Sequence, residues 1–288
     1  MEFSLLYTSL SLSLFFIIVI LKFFTRKYYR LPPSPAPALP LFGHLHLLAP
    51  PLHRTFRRFS QTHGPIFSLK LGVRRVVVVS SPQLVEECFT KNDIVFSNRP
   101  RSLANQYIGY DHTTMAGAPY GHHWRNLRRL ASVEVLASSR LNALSELRQA
   151  EMRRTLQKLT TSKDYAVVEL RPKIFQHIFN VIMMMLAGKR YSSDDVKSGK
   201  QLHEMVSEVF ESSQSSNPED FLPFLNWIDY RGLKKKLSDV GKKLDEFYEC
   251  LLTEHRREKR NTIIGHLLFL QESDPGFHTD QTIKGFIT

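Results

Sequence analysis

Residues 120–130 read YGHHWRNLRRL, and this stretch decides how the rest of the chain is understood. A helix is predicted here, and its periodicity places Trp124 and Arg128 on one face, one turn apart. Arg125 and Arg129 repeat the spacing on the neighbouring face. An indole N–H and a guanidinium group can only donate hydrogen bonds. Two such donors on one face indicate a site for an anion, whose identity has to come from the rest of the chain.

The composition is that of a folded chain with an acidic partner. Its 288 residues suffice for one large domain or two ordinary ones, and 42% hydrophobic and 11% aromatic residues exclude a disordered chain. Lys and Arg number 39 against 27 acidic residues, a formal net charge of +12. This excess predicts a partner that can be nucleic acid, anionic lipid or an acidic protein, and the charge alone does not choose among them.

The N-terminus predicts a membrane anchor. Residues 3–21, FSLLYTSLSLSLFFIIVIL, contain no charged side chain, and a run of this length nearly matches the roughly 20 residues that a spanning helix needs. Glu2 precedes the run and basic residues follow it, which disfavours the alternative of a cleaved signal peptide. The positive-inside tendency then predicts a cytosol-facing body. Part of the positive charge is thereby assigned to membrane orientation, and we therefore expect no nucleic-acid partner.

A proline-rich segment follows the anchor. Seven of the 15 prolines fall within residues 32–51, and proline disfavours helix in the residue before it, so the anchor helix cannot continue into the body. The segment is either a disordered linker or a stiff spacer. Its interspersed leucines and Phe42 favour a spacer that docks onto the domain.

The body is predicted to be mainly α with a small β element near its N-terminal end. RTFRRFSQTHG reads as a helix ending at Gly64, IFSLKLG and RRVVVVSS as a two-stranded hairpin, and Ser81-Pro82 as a helix start. Residues 99–119 lack a sustained period and predict a long loop. Three more helices are predicted beyond the helix of residues 120–130: a charged amphipathic one in LNALSELRQAEMRRTLQKL, a buried one in IFQHIFNVIMMMLAG, and a long surface helix after residue 231.

Other reactive side chains do not form a recognisable site. His44 and His46 would share a strand face, but no carboxylate or thiol cluster accompanies them, which disfavours a metal. Cys88 and Cys250 are too far apart for a disulfide framework and predict buried free thiols. His122 and His123 are expected to be solvated at a helix N-terminus, and the Arg125/Arg129 face can equally be solvated charge.

The order of features carries a resemblance. The anchor, PPSPAPALPLFGHL, GPIFSLKLGVRRVVVVSSP, FSNRP and YGHHWRNLRR together resemble a plant microsomal cytochrome P450, and NVIMMMLAGKRY and EDFLPFLNWIDYRGLKKKL resemble the group containing isoflavone 2'-hydroxylases. The resemblance implies the N-terminal portion of the cytochrome P450 fold after a transmembrane anchor helix. Residues 1–24 would be the anchor, 25–51 a basic stop and proline-rich hinge, and 52–288 an incomplete haem-monooxygenase domain. The implied location is the endoplasmic reticulum membrane.

The resemblance also implies roles for the residues of the opening stretch. Trp124 and Arg128 would hold a propionate of haem, the implied cofactor, through charge-assisted hydrogen bonds. Arg125 and Arg129 would face an acidic flavoprotein reductase that supplies electrons from NADPH. Residues 101–118 and 221–227 would border a pocket for an apolar substrate.

One departure from the family pattern limits these implications. The chain ends in TIKGFIT, before the acidic-Thr pair and the glycine-rich loop whose cysteine ligates haem iron, and neither Cys88 nor Cys250 follows such a loop. Glu-x-x-Arg at Glu151 and at Glu254 is read as i,i+3 surface pairing with Arg154 and Arg257, without a catalytic role. Two hypotheses follow: the front part of a reductase-dependent monooxygenase, or a catalytically inactive, membrane-anchored fragment that binds a partner such as the reductase. A complete soluble enzyme of another class is a distant third.

Overall fold

The computed structural model describes residues 13, 14, 17 and 31–288, apart from 36, 161–167, 192–197, 215, 216, 228, 230 and 231. The predicted anchor, residues 1–24, therefore lies almost wholly outside the described residues; Ser13, Leu14 and Ile17 are helical. Within the described part of the chain, no helix combines the length and the apolar character needed to cross a bilayer.

Two compact units divide the chain, Met1–Val85 and Glu86–Thr288. The first contains a 3₁₀ turn at Leu45–Leu47 and the regular elements α1 Leu52–His63, β1 Ile66–Leu71 and β2 Arg74–Val79; α2 Pro82–Phe89 crosses the division. The second contains α3 Asp93–Phe96, α4 Leu103–Tyr107, α5 His122–Leu130, α6 Ser138–Ala143, α7 Ser145–Thr160, α8 Leu170–Ala187, α9 Ser198–Gln214, α10 Pro218–Phe221, α11 Leu233–Glu258, α12 Ile263–Ser273 and α13 Asp280–Ile287. The predicted class, mainly α with a small β element, is confirmed.

The first unit is organised around the predicted hairpin. Strands β1 and β2 pair antiparallel, with Ile66 opposite Val79 and Leu71 opposite Arg74. Alternate β1 side chains are buried, among them Phe67, which contacts an aromatic ring of α1, Phe59, with ring centres 5.9 Å apart. The period-2 pattern thus places the apolar face of the strand against the helix that precedes it.

The proline-rich segment docks along β1. The backbone N–H of Ser68 donates to the carbonyl of Pro33 at 2.8 Å, and the Ser68 hydroxyl donates to that of Pro32 at 2.8 Å. His44 donates its backbone N–H to the Lys70 carbonyl at 2.6 Å and accepts the Lys70 N–H at Nδ1, 2.8 Å away. Buried His44 therefore forms hydrogen bonds with the backbone of β1. No cluster of three or more potential metal ligands occurs among the described residues.

The second unit has a core built on the long helix α11. At its N-terminal end Leu237, Val240 and Leu244 pack in one cluster with apolar side chains of α9. Nearer its C-terminal end Leu251 and Leu252 belong to a second cluster, formed with side chains of α8, α12 and α13. Helix α11 was predicted to be a surface helix, yet it has an apolar face that passes through both clusters.

Helix α8 is less buried than its composition predicts. Only Met183 and Ala187, near its C-terminal end, are buried in the core. Ile174, Ile178 and Ile182 recur every four residues and are each about half exposed, between 46% and 53%. The prediction of a buried helix was wrong for this face because the residues of α8 that are buried in the core, Met183 and Ala187, lie on a different face of the helix.

The ion pairs also differ from the predicted helix-surface pairs. Glu151, 2% exposed, pairs with Arg190 beyond the end of α8, and Glu254 pairs with Lys189 and Arg260. The i,i+3 interpretation was wrong, because both carboxylates bind cations from other parts of the fold. The thiol prediction also needs correction: both cysteines are free, but Cys88 is half-buried and Cys250 is exposed.

Candidate anion-binding site on helix α5

Helix α5 is the predicted helix and is strongly amphipathic. Trp124, Leu127 and Leu130 are buried at intervals of three residues, and Leu127 is fully inaccessible. Arg125, Arg128 and Arg129 are exposed. The apolar residues therefore anchor the helix, while the arginines remain in contact with solvent.

The indole of Trp124 already has a hydrogen-bond partner. Trp124 as a whole residue is 9% exposed, and its indole N–H donates to the backbone carbonyl of Met115 at 3.1 Å. Because indole has a single donor, this bond satisfies it. An anion at this position has to rely on neighbouring cations or displace the carbonyl of Met115.

Two guanidinium groups flank the Trp124 ring. The Cζ atom of Arg128 lies 5.3 Å from the ring centre, and that of Arg99 lies 4.9 Å from it. Arg99 also donates to the carbonyl of Ser97 at 2.7 Å. Within the described structure neither guanidinium has a carboxylate partner. Both contacts are within range of a cation–π interaction, and the two cations give the site an unneutralised positive charge.

Arg99 was not identified as a site residue from the sequence. It lies in FSNRP, one of several motifs whose order along the chain carries the family resemblance. No local periodicity connects it to α5, and it is the fold that brings it to the Trp124 ring. The Arg-Pro pair of this motif was the signal available from the sequence. A residue before proline has restricted backbone freedom, so its side chain can be held in a fixed direction.

The neighbouring face of α5 adjoins this site through Tyr120, whose ring centre lies 5.6 Å from that of Trp124. Exposed Arg125 has its Cζ 5.9 Å from the ring centre of Tyr120, and Arg129 is exposed one turn further on. His122 is exposed, as expected. His123 is not simply solvated: its Nε2 lies 2.8 Å from the carbonyl of Thr113, which fixes the start of the helix to the preceding segment.

The predicted loop before α5 contains a short helix and tight turns. Helix α4 is capped by the hydroxyl of Ser102, which accepts the N–H of Asn105 at 3.2 Å. Tyr110 and the two residues after it have positive φ, and the Thr113 hydroxyl donates to the Tyr110 carbonyl at 2.7 Å. This conformation brings the carbonyl of Met115 to Trp124. The prediction of a long irregular loop was therefore only partly right.

A cavity of about 290 Å³ lies between this segment and α11. Its lining is mostly polar: Tyr107, Tyr110, Ser238, Gly241, Lys242, Asp245 and Glu246. The Tyr110 hydroxyl donates to Asp245 at 3.1 Å, and burial together with the Asp245 charge raises the pKa of Tyr110. The described side chains of residues 221–227 do not line this cavity, and Trp227 there is 93% exposed.

The donor set at Trp124 fits one part of a haem group. Two guanidinium forks beside an apolar ring suit a carboxylate, which each can bind through two parallel hydrogen bonds. Arg99 and Arg128 are thus suited to a propionate. The thiols of Cys88 and Cys250 sit on α2 and α11, in helical segments that lack the glycine-rich loop implied for an axial ligand.

The fold and the site together define a class of protein: a helical domain with a basic site on an amphipathic helix. The cytochrome P450 family model matches residues 32–283, and this chain belongs to the cytochrome P450 family. It is 49% identical to cytochrome P450 81Q32 of Catharanthus roseus over 99% of this chain and 58% of that protein. It is 44% identical to isoflavone 2'-hydroxylase of Glycyrrhiza echinata over 97% of this chain and 57% of that protein.

A third relative has a different named activity. (+)-Piperitol/(+)-sesamin synthase CYP81Q2 of Sesamum radiatum is 46% identical over 100% of this chain and 59% of its own length. The chain thus spans less than three fifths of the length of these curated relatives.

Proposed function

We propose that this chain is the front part of a haem-thiolate monooxygenase that hydroxylates an apolar plant specialised metabolite of the flavonoid or isoflavonoid class. Family membership and relatives named isoflavone 2'-hydroxylase and isoflavone 3'-hydroxylase support the proposal. Bound haem would supply oxygen activation, which an axial thiolate assists by donating electron density. The contribution of the described residues is to bind and orient that group.

The arrangement around Trp124 is the observation that carries the proposal. Arg128 and Arg99 approach one buried indole from different segments of the chain, without a carboxylate to neutralise them in the described structure. A haem propionate would supply the missing negative charge. Charge-assisted hydrogen bonds of this kind contribute about 1.5–3 kcal/mol each.

Two partners belong to the proposal. The exposed face with Arg125 and Arg129 would receive an acidic flavoprotein reductase that draws electrons from NADPH, because complementary charge speeds and orients such encounters. The apolar residues 3–21 would anchor the protein in the endoplasmic reticulum membrane, with the domain facing the cytosol.

A haem titration of matched arginine variants, made in the protein completed through the cysteine loop, tests the proposal. Arg128→Ala should raise the haem dissociation constant about tenfold or more, the equivalent of at least one charge-assisted hydrogen bond. Arg125→Ala removes the same charge from the same helix and should change it by less than about twofold. Equal effects of the two variants would contradict the assignment of the propionate site.

Reductase binding separates the proposal from its alternative. A chain that captures the reductase through Arg125 and Arg129 but does not bind haem would act as a catalytically inactive binding protein. Reading the transcript beyond the codon for Thr288 supplies the complementary test. The monooxygenase proposal requires a glycine-rich loop with a cysteine in that reading frame, and a stop codon at this point would rule it out.

A further inference from the structure

Helices α7 and α8 enclose a polar cleft remote in sequence from the Trp124 site. The cleft forms a cavity of about 160 Å³. Its lining comes from both helices and from the segment after α8: Glu151, Arg154, Thr155, Lys158, Lys173, Gln176, His177, Asn180 and Arg190. None of these side chains is apolar, although the space between two packed helices is ordinarily filled by apolar residues.

In this helix pair the polar faces line the cleft and the apolar faces point away from it, which is the reverse of ordinary helix packing. On each helix the lining residues recur every three or four positions and share one face. Exposed apolar residues lie on another side of each helix. Met152 and Leu156 of α7 are 47% and 52% exposed, and on α8 the exposed residues are Ile174, Ile178 and Ile182. A helical repeat of 3.6 residues places the two sets roughly 140° apart on both helices. The cleft is therefore adapted to polar contents.

The charge balance of the cleft is positive. Its carboxylate, Glu151, is paired with Arg190. Arg154 of α7 and Lys173 of α8 project from opposite walls and have no ion-pair partner within the described structure. Both side chains are exposed to solvent where they line the cleft, and an anion held between them would attract both.

A buried acceptor specifies the ligand further. The Oδ1 atom of Asn180 is inaccessible to solvent and has no hydrogen-bond partner in the described structure. A buried amide oxygen without a donor is destabilising, so a ligand that brings an O–H group would be favoured. Beside it, the His177 ring and the Thr155 hydroxyl are 3.0 Å apart and fix one wall.

From these contacts we propose that the α7–α8 cleft binds a phosphate group. Hydrogen phosphate and protonated phosphate monoesters combine anionic oxygens for Arg154 and Lys173 with a P–OH donor for Asn180. A cavity of about 160 Å³ has room for one such group with accompanying water and is smaller than the roughly 300 Å³ typical of larger ligands. Free phosphate and the phosphomonoester headgroup of a membrane lipid share this chemistry.

Calorimetric titration of the full chain with inorganic phosphate, at constant ionic strength set with chloride, tests the proposal. Arg154→Gln and Lys173→Gln should each weaken binding about tenfold. The matched controls are Arg153→Gln and Arg171→Gln, which remove the same charge from exposed positions outside the cleft and should change affinity by less than about twofold. The proposal would be overturned if Arg154→Gln weakened phosphate binding no more than Arg153→Gln, and Lys173→Gln no more than Arg171→Gln. Absence of saturable phosphate binding by the unmodified chain would also overturn it.

Vesicle sedimentation then identifies the source of the phosphate. Phosphatidylcholine vesicles that contain phosphatidate are compared with vesicles of the same composition in which phosphatidylserine replaces it. A preference for phosphatidate that Lys173→Gln abolishes assigns the site to a lipid headgroup. Sedimentation that is identical for both vesicles and all variants, with phosphate binding retained, assigns it to free phosphate. Circular dichroism melting of each variant verifies that the fold is preserved.

Discussion

The indole nitrogen of Trp124 lies 3.1 Å from the backbone carbonyl of Met115 and donates its hydrogen to it. The bond joins α5 to the segment that precedes it, so the orientation of the indole depends on the conformation of that segment. A ligand at Trp124 that also uses the indole N–H has to release the carbonyl. The environment of this side chain is therefore a direct reporter of occupancy of the site.

The two tryptophans should report different environments. Trp124 is 9% exposed and Trp227 is 93% exposed, so Trp227→Phe should shift the fluorescence maximum of the chain to shorter wavelength and Trp124→Phe to longer wavelength. In the Trp227→Phe protein, haem should quench the remaining emission, and Arg99→Ala should raise the concentration for half-quenching about tenfold. Arg125→Ala is the control. Emission from Trp124 that haem does not affect would contradict the proposed site.

The pair formed by Glu151 and Arg190 should respond asymmetrically to mutation. Glu151 has a side chain 3% exposed, whereas Arg190 is 40% exposed. Arg190→Gln leaves a buried carboxylate without its partner and should reduce the free energy of unfolding by about 3 kcal/mol or more. Glu151→Gln leaves a solvent-accessible cation and should cost roughly 1–2 kcal/mol. Chemical denaturation measures both, and equal costs would show that Glu151 is not buried as described.

Two helical glycines should respond in opposite directions to alanine. A Cβ atom at Gly241 of α11 would lie 2.5 Å from the Tyr107 carbonyl, whereas at Gly285 of α13 the nearest atom would be 3.8 Å away. Gly241→Ala should destabilise the protein by about 1–3 kcal/mol because backbone has to move. Gly285→Ala should stabilise it by up to about 1 kcal/mol, the ordinary gain in a helix. Thermal melting that shows stabilisation by both would contradict the close approach at Tyr107.

Acid should weaken the fold through two carboxylates. A hydrogen bond from Lys189 lowers the pKa of Glu254, and hydrogen bonds from Gln271 and Arg256 lower that of Asp280. Because the folded pKa values lie below the unfolded ones, the stabilisation is complete above about pH 4.5 and is lost as the pH falls through the folded values. Unfolding free energies measured against pH should show this loss.

In the double variant Glu254→Gln/Asp280→Asn, the free energy of unfolding should fall less steeply as the pH is lowered; this falling part of the curve is its acid limb. Near neutral pH the double variant should be less stable than the unmodified chain. Glu146→Gln, an exposed position on α7, is the control. An acid limb of unchanged slope in the double variant would show that these two carboxylates do not account for the dependence on pH.

Local features of the fold were predictable from the sequence because short-range periodicity controls them. The alternation in β1, the glycine that ends α1 and the amphipathic spacing of α5 all depend on neighbours within a few residues. Trp124 and Arg128 were paired in this way, and they do share one face of a helix, with the Arg128 guanidinium beside the indole ring.

Features that depend on distant segments were not predictable in this way. Arg99 reaches Trp124 from a different part of the chain, and the Glu151 carboxylate pairs with Arg190 rather than with the nearby Arg154. Sequence spacing gives no information on such partners, because they are selected by tertiary packing. The exposed isoleucines of α8 illustrate the same point, since composition predicts that they prefer burial but does not say what buries them.

The proline-rich segment has a consequence for how the hairpin meets other chains. The outer edge of a strand is a template on which further strands can pair and aggregate. On β1 that edge is occupied: carbonyls of Pro32 and Pro33 accept from Ser68, and His44 satisfies the backbone of Lys70. Proline has no N–H with which to extend the ladder outward. A further strand that paired with β1 at Ser68 and Lys70 would therefore have to displace the proline-rich segment.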